Sequence, residues 1–172
     1  VVLLSRFNGG NNTTVNTPPP VSTAPTITNF TVDGGVDPVT LQVQTATGPF
    51  STPVRFSYLL DDVEDSELQI LVEYSRASAP TTFLPATLIG ATNPITGLQA
   101  AQYEVPQDPA NTFVWDAQTD LNPGPNGLVE TAQFRITVSE ASVTGQTQAI
   151  GGGVSFNFPL PANALPQSIS FG

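Results

Sequence analysis

The stretch LQILVEYSR at residues 68–76 constrains the fold more than any other feature of the chain. Leu68, Ile70, Val72 and Tyr74 fall on one side of a two-residue period. Gln69, Leu71, Glu73 and Ser75 fall on the other. Side chains of an extended strand alternate between faces, so this pattern predicts a β-strand with one face in a core. The face bearing Leu71 is the alternative inward side. VETAQFRITVSE repeats the period through Ala132, Phe134, Ile136 and Val138, and TPVRFSYLL does so through Val54, Phe56 and Tyr58. VTLQVQT sets Val39, Leu41 and Val43 against Thr40, Gln42 and Gln44. VSFNF follows a triple glycine and brings Val154, Phe156 and Phe158 to one side.

Other segments are less regular. In TITNFTVDGG, Thr28, Phe30 and Val32 share one face, which leaves Ile27 opposite Phe30. Pro85 marks FLPATLI as an edge strand or a bulge, because proline cannot donate to a ladder. LQAAQYEV, NTFVWD and LPQSISFG add further short strands, the last through Ile169 and Phe171. The 17 prolines are spread along the chain and leave little room for long helices. AQTDLNPG is the one helical candidate, a single turn capped by Asp116 or Thr119 and ended by Pro123-Gly124. The expected fold is therefore all-β: nine or ten strands in a two-sheet antiparallel β-sandwich. Phe113 and Trp115, together with Tyr74 and Phe134, are its expected core aromatics.

Residues 1–25 read differently from residues 26–172, which form the expected sandwich domain. VVLLSRF, residues 1–7, is a short apolar strand containing Val1, Val2, Leu3, Leu4 and Phe7. NGGNNTTVNTPPPVSTAP follows as a linker. Its glycines and asparagines are loose, and Pro18, Pro19 and Pro20 stiffen its second half toward polyproline II. At roughly 3.1 Å per extended residue the linker reaches about 50–60 Å.

The chain carries 14 acidic and four basic residues, for a formal charge of −10. Nucleic-acid binding needs many cations to displace counterions, and an anionic membrane surface repels this charge, so neither partner is expected. The sequence contains no cysteine and no histidine. That excludes Cys/His zinc sites, thiol catalysis and a serine–histidine triad. No run of 18 apolar residues offers a membrane-spanning helix. The first residue is valine rather than methionine, as expected of a processed mature chain.

FSYLLDDVEDSELQILVEYSRAS, TFVWDAQTDL and AQFRITVSE resemble bacterial extracellular immunoglobulin-like or fibronectin-type-III-like modules. The matching features are the acidic turn at 61–65, Val72-Glu73-Tyr74-Ser75, Phe113-Val114-Trp115-Asp116 and Phe134-Arg135-Ile136. They cover about half of the chain. The resemblance implies an immunoglobulin-like sandwich and an extracellular or cell-surface location. It does not single out one function, because such modules act as spacers, binders and shell proteins. Val63 and Glu64 stand where the family carries glycine in its acidic turn.

DDVEDSE is the densest carboxylate cluster. Asp61, Asp62, Glu64 and Asp65 offer hard oxygens to calcium, although the spacing is not that of an EF-hand. A solvated acidic turn explains the same residues. Two carboxylates flanking a cleft can hydrolyse glycosides, but nothing in the sequence indicates a cleft, and no enzymatic activity is expected. Asn11, Asn12 and Asn29 match the N-glycosylation pattern. Arg55, Arg76 and Arg135 are expected on outer strand faces, paired with carboxylates.

One function uses the apolar segment and its tether together. Residues 1–7 leave their own domain and complete the sheet of a neighbouring copy. Strand addition of this kind combines backbone hydrogen bonds with side chains in alternate pockets. A head-to-tail contact that does not close gives a filament, so the expected partner is a further copy of the chain. IGGG at 150–153 and FLPATLI are the candidate acceptor edges, and SISFG is an alternative donor. The competing expectations are a monomeric adhesion or ligand-binding module, with the first strand folded onto its own sheet, and a shell or virion decoration protein.

Overall fold

A computed structural model describes residues 23–62, 66–99, 112–124, 127–140, 144–150 and 153–159. The fold is all-β, with two antiparallel sheets of four and six strands. In chain order the elements are β1 (Thr26–Val36), β2 (Val43–Thr45), β3 (Val54–Asp61), β4 (Glu67–Arg76), β5 (Leu84–Pro85), β6 (Ile95–Gln99), β7 (Thr112–Trp115), α1 (Ala117–Leu121), β8 (Leu128–Glu140), β9 (Thr144–Ala149) and β10 (Val154–Phe158). The first sheet runs β2-β1-β3-β7. The second runs β10-β8-β4-β5, with β6 also on β4 and β9 also on β8.

The two-residue period decides which faces turn inward. Leu68, Ile70, Val72 and Tyr74 of β4 are buried, so this face, and not that of Leu71, enters the core. Facing them across the ladder are Val138, Ile136 and Phe134 of β8. The sheets meet through aromatic rings. Trp115 of β7 lies edge-on to Phe134 at 4.6 Å and to Phe156 of β10 at 5.2 Å between centroids. Phe56 of β3 packs 4.7 Å from Phe134 and stacks on Phe113 at 5.2 Å. Each such buried side chain contributes roughly 1.5–3 kcal/mol of transfer free energy, which locates the main cohesion between β3, β7, β8 and β10.

The irregularity in TITNFTV is a β-bulge. The β1–β3 register shifts between Thr28 and Thr31, and Asn29 adopts φ 52. Asparagine tolerates this left-handed conformation better than most residues. The extra residue lets both Ile27 and Phe30 face the core, which strict alternation forbids.

VTLQVQT is not the continuous strand its alternation predicts. Only Val43–Thr45 pairs, and Val39 is 88% exposed. The Asp37 carboxylate accepts hydrogen bonds from the backbone N–H of Val39 at 2.9 Å and of Thr40 at 2.8 Å. Backbone bonds between Asp37 and Leu41 and between Asp37 and Gln42 close the turn. A side chain that satisfies local backbone donors competes directly with a ladder, and here it prevails.

The short helix matches its sequence signals. Asp116 is the N-cap and accepts from Thr119 N, while Asn122 ends the helix in the left-handed conformation. No helix among the described residues is long and apolar enough to cross a membrane.

Candidate functional site

The flank of the six-stranded sheet formed by β9 and β10 is where the N-terminal part of the chain enters the body. β8 carries β4 on one side over Ala132–Glu140. Its other side pairs with β10 over Leu128–Ala132 and with β9 over Arg135–Ser139. β9 and β10 therefore form one edge. Between the pairs Ala149–Arg135 and Val154–Ala132 the edge strand advances five residues while β8 advances three. Gly153, at φ 71, stands directly before β10, and an added Cβ there would approach Ala132 O at 3.0 Å.

Pro25 fastens the chain to this flank. Its carbonyl accepts from Gln146 N at 3.0 Å, and Gln146 Oε1 accepts from Ile27 N at 3.2 Å. Gly145 permits the approach, because a Cβ at that position would lie 2.2 Å from Pro25 O. The linker thus joins the body beside β9.

Further along the flank, β10 is bridged on its outer side by Phe50. Phe50 N donates to Ser155 O at 2.9 Å, and Asn157 N donates to Phe50 O at 2.8 Å. A groove of about 410 Å³ opens on one side of this contact, lined by Val32, Phe50 and Val154 with Gly48, Gly153 and Ser155. A second hollow of about 340 Å³ lies toward the other end of β10, beside Phe158, Pro159 and Pro123. Together they border β10 on both sides of the Phe50 bridge.

The other proposed acceptor edge is closed differently. β5 is only Leu84–Pro85, and the chain after it leaves β4 for the opposite sheet. Ile89 N donates to Val114 O, and Asp116 N donates to Thr87 O, so residues 87–89 cover β7. Asp120 locks this crossing. Its carboxylate accepts from Thr87 N at 2.7 Å, Thr87 Oγ1 at 2.6 Å and Trp115 Nε1.

The remaining sequence candidates lie partly outside the described residues. Asp61 is exposed at the end of β3, while Asp62 is buried and accepts from Ser66 N at 2.6 Å. Glu64 and Asp65 lie outside the described residues. Among the described residues no three acidic side chains converge as metal ligands. Asn29 is exposed at the β1 bulge; Asn11 and Asn12, and the assembly segment Val1, Val2, Leu3, Leu4 and Phe7, lie outside the described residues. So does SISFG. Trp115, Phe113, Tyr74 and Phe134 are all buried, as expected of core aromatics.

Two arginines pair as expected: Arg55 with Asp33 at 2.9 Å, and Arg135 with Glu73 through bonds of 2.7 and 3.0 Å. Among the described residues Arg76 pairs with no carboxylate in this way. Its guanidinium donates to the carbonyls of Asp120 and Leu121, satisfying the acceptors that a helix C-terminus leaves open. The approach of β4 to α1 puts it there, which strand alternation does not reveal.

Comparison with family models, curated proteins and solved structures gives no match.

Proposed function

We propose that the chain is a structural, non-catalytic subunit of an extracellular filament or surface fibre. In this reading the two sheets form an immunoglobulin-like sandwich, and residues 1–7 add a strand to the sheet of the next copy. The observation that carries it is the attachment of Pro25 to β9. An apolar segment and an 18-residue linker precede a body that they join at a sheet edge. Strand addition acts at such edges.

The energetics are adequate. Burying Val1, Val2, Leu3 and Leu4 gives roughly 6–10 kcal/mol of gross transfer free energy at about 1.5–3 per side chain. Immobilising the segment offsets part of it. In a polymer each subunit makes the contact twice, once as donor and once as acceptor. The high negative charge suppresses nonspecific association, so assembly depends on the specific strand.

The test is deletion of residues 1–7, read by light scattering and negative-stain microscopy. The full chain is expected to form fibres and the deleted chain to remain monomeric with an unchanged circular dichroism spectrum. A full chain that stays monomeric at all concentrations defeats this reading in favour of an adhesion or ligand-binding module. Equal polymerisation of the deleted chain eliminates the segment as connector.

A further inference from the structure

We infer that the furrow along the outer side of β10 is the acceptor site, and that residues 1–7 of a second copy occupy it. The inference rests on the strand-donating function proposed above and assigns the surface that receives the strand.

Among the described residues the outer side of β10 is closed at one point. Its described outer backbone partner is one residue, Phe50, which uses Ser155 O and Asn157 N. A single bridge adds little cooperative pairing, whereas a strand of several residues extends the ladder and meets the backbone groups on both sides of that point. The groove beside the bridge has room for more than one aliphatic side chain, and its walls include Val32, Phe50 and Val154. Gly48 and Gly153 border it without side chains that would fill it. Among the described residues neither arginine nor aspartate lines it, which suits the apolar side chains that lead VVLLSRF.

The chain outside the described residues supplies the occupant. Twenty-two residues precede Thr23, and they include the apolar run of VVLLSRF. One set, Val2 and Leu4, or the other, Val1 and Leu3 with Phe7, can enter the groove while the intervening residues face outward. Pro25 meets the body on the β9 part of this same flank. Three consecutive prolines stand shortly before that point and favour an extended course over an immediate reversal. An extended course of that kind would carry the segment toward a neighbour.

The absence of cysteine makes the test clean. Ser155→Cys marks the exposed face of β10, and Thr96→Cys marks exposed β6 on the other side of the sheet. Each is combined in turn with a single cysteine at each of positions 1–7, in the full chain. Folding is checked by circular dichroism, fibres by microscopy, and disulfides by non-reducing electrophoresis after mild oxidation. The expected result is a ladder of covalent multimers with Ser155→Cys, alternating in yield along residues 1–7, and no ladder with Thr96→Cys. Fibres that give no ladder through position 155 overturn the acceptor assignment and leave the filament intact. A disulfide confined to the monomer overturns the assignment to a second copy. Folded variants that give neither fibre nor disulfide, with a wild-type chain that also forms no fibre, overturn both readings.

Discussion

Asn93 completes the hydrogen bonding of Val72 in place of a strand. Its Oδ1 accepts from Val72 N at 3.1 Å, and its Nδ2 donates to Val72 O at 2.7 Å. The same Nδ2 donates to Ala86 O at 2.8 Å. β6 pairs with β4 at Glu67–Ile70, and β5 pairs at Glu73–Tyr74. Val72 lies between them, and the carboxamide fills the gap. Asn93→Ala leaves Val72 N and Ala86 O without these partners. An unsatisfied buried group costs about 1–3 kcal/mol, so the expected loss is about 2–4 kcal/mol in chemical denaturation. Asn93→Asp, which keeps only the acceptor, is not expected to rescue it.

Asp120 is expected to matter as much as a core residue. It joins Trp115, Thr87 and the helix in one network. Asp120→Ala removes three accepted bonds. Hydrogen bonds to charged groups contribute about 1.5–3 kcal/mol each, with shared losses not additive. The expected destabilisation is about 2–4 kcal/mol, accompanied by a red shift of Trp115 fluorescence as the crossing at 87–89 loosens. An unchanged emission maximum with full stability contradicts this role.

Alkaline pH tests the environment of Tyr74. Burial holds its phenol above the ordinary value of 10.0, and the charge of Asp120 adds to this while Arg76 opposes it. The folded state therefore keeps the proton more tightly than the unfolded chain. Stability from this group is intact below pH 10.0 and declines as pH rises from there through the higher folded-state value. Denaturation midpoints measured from pH 8 to 11 (about the range that brackets an unperturbed tyrosine) are expected to fall less steeply for Tyr74→Phe than for the wild type. Parallel slopes exclude the coupling.

Gly145 controls the entry of the chain into β1. Gly145→Ala places a methyl 2.2 Å from Pro25 O and 2.7 Å from Pro25 Cγ. Backbone must shift to accommodate it. The expected result is faster hydrogen exchange at Gln146 N and a loss of about 1–2 kcal/mol, the scale of one hydrogen bond with local repacking. Exchange unchanged at Gln146 contradicts the close approach.

The sequence determined the strand class and the faces. Alternation in β3, β8 and β10 assigned their buried residues, because a two-residue period is a property of one extended segment and needs no partner to be read; in β4 it left two faces, and burial in the structure chose that of Leu68, Ile70, Val72 and Tyr74. Asp116 and Pro123-Gly124 likewise announced a short helix through local backbone chemistry. VTLQVQT shows where that logic stops: the same alternation became a turn once the Asp37 carboxylate captured nearby N–H groups. Only the tertiary structure decided that Asn93 fills a sheet, that Arg76 caps a helix, and that Pro25 rests on Gly145 at the β9–β10 edge. These contacts join residues from 21 to well over 100 positions apart. Each depends on which edges the two sheets leave uncovered, a result of their mutual packing that no single segment encodes.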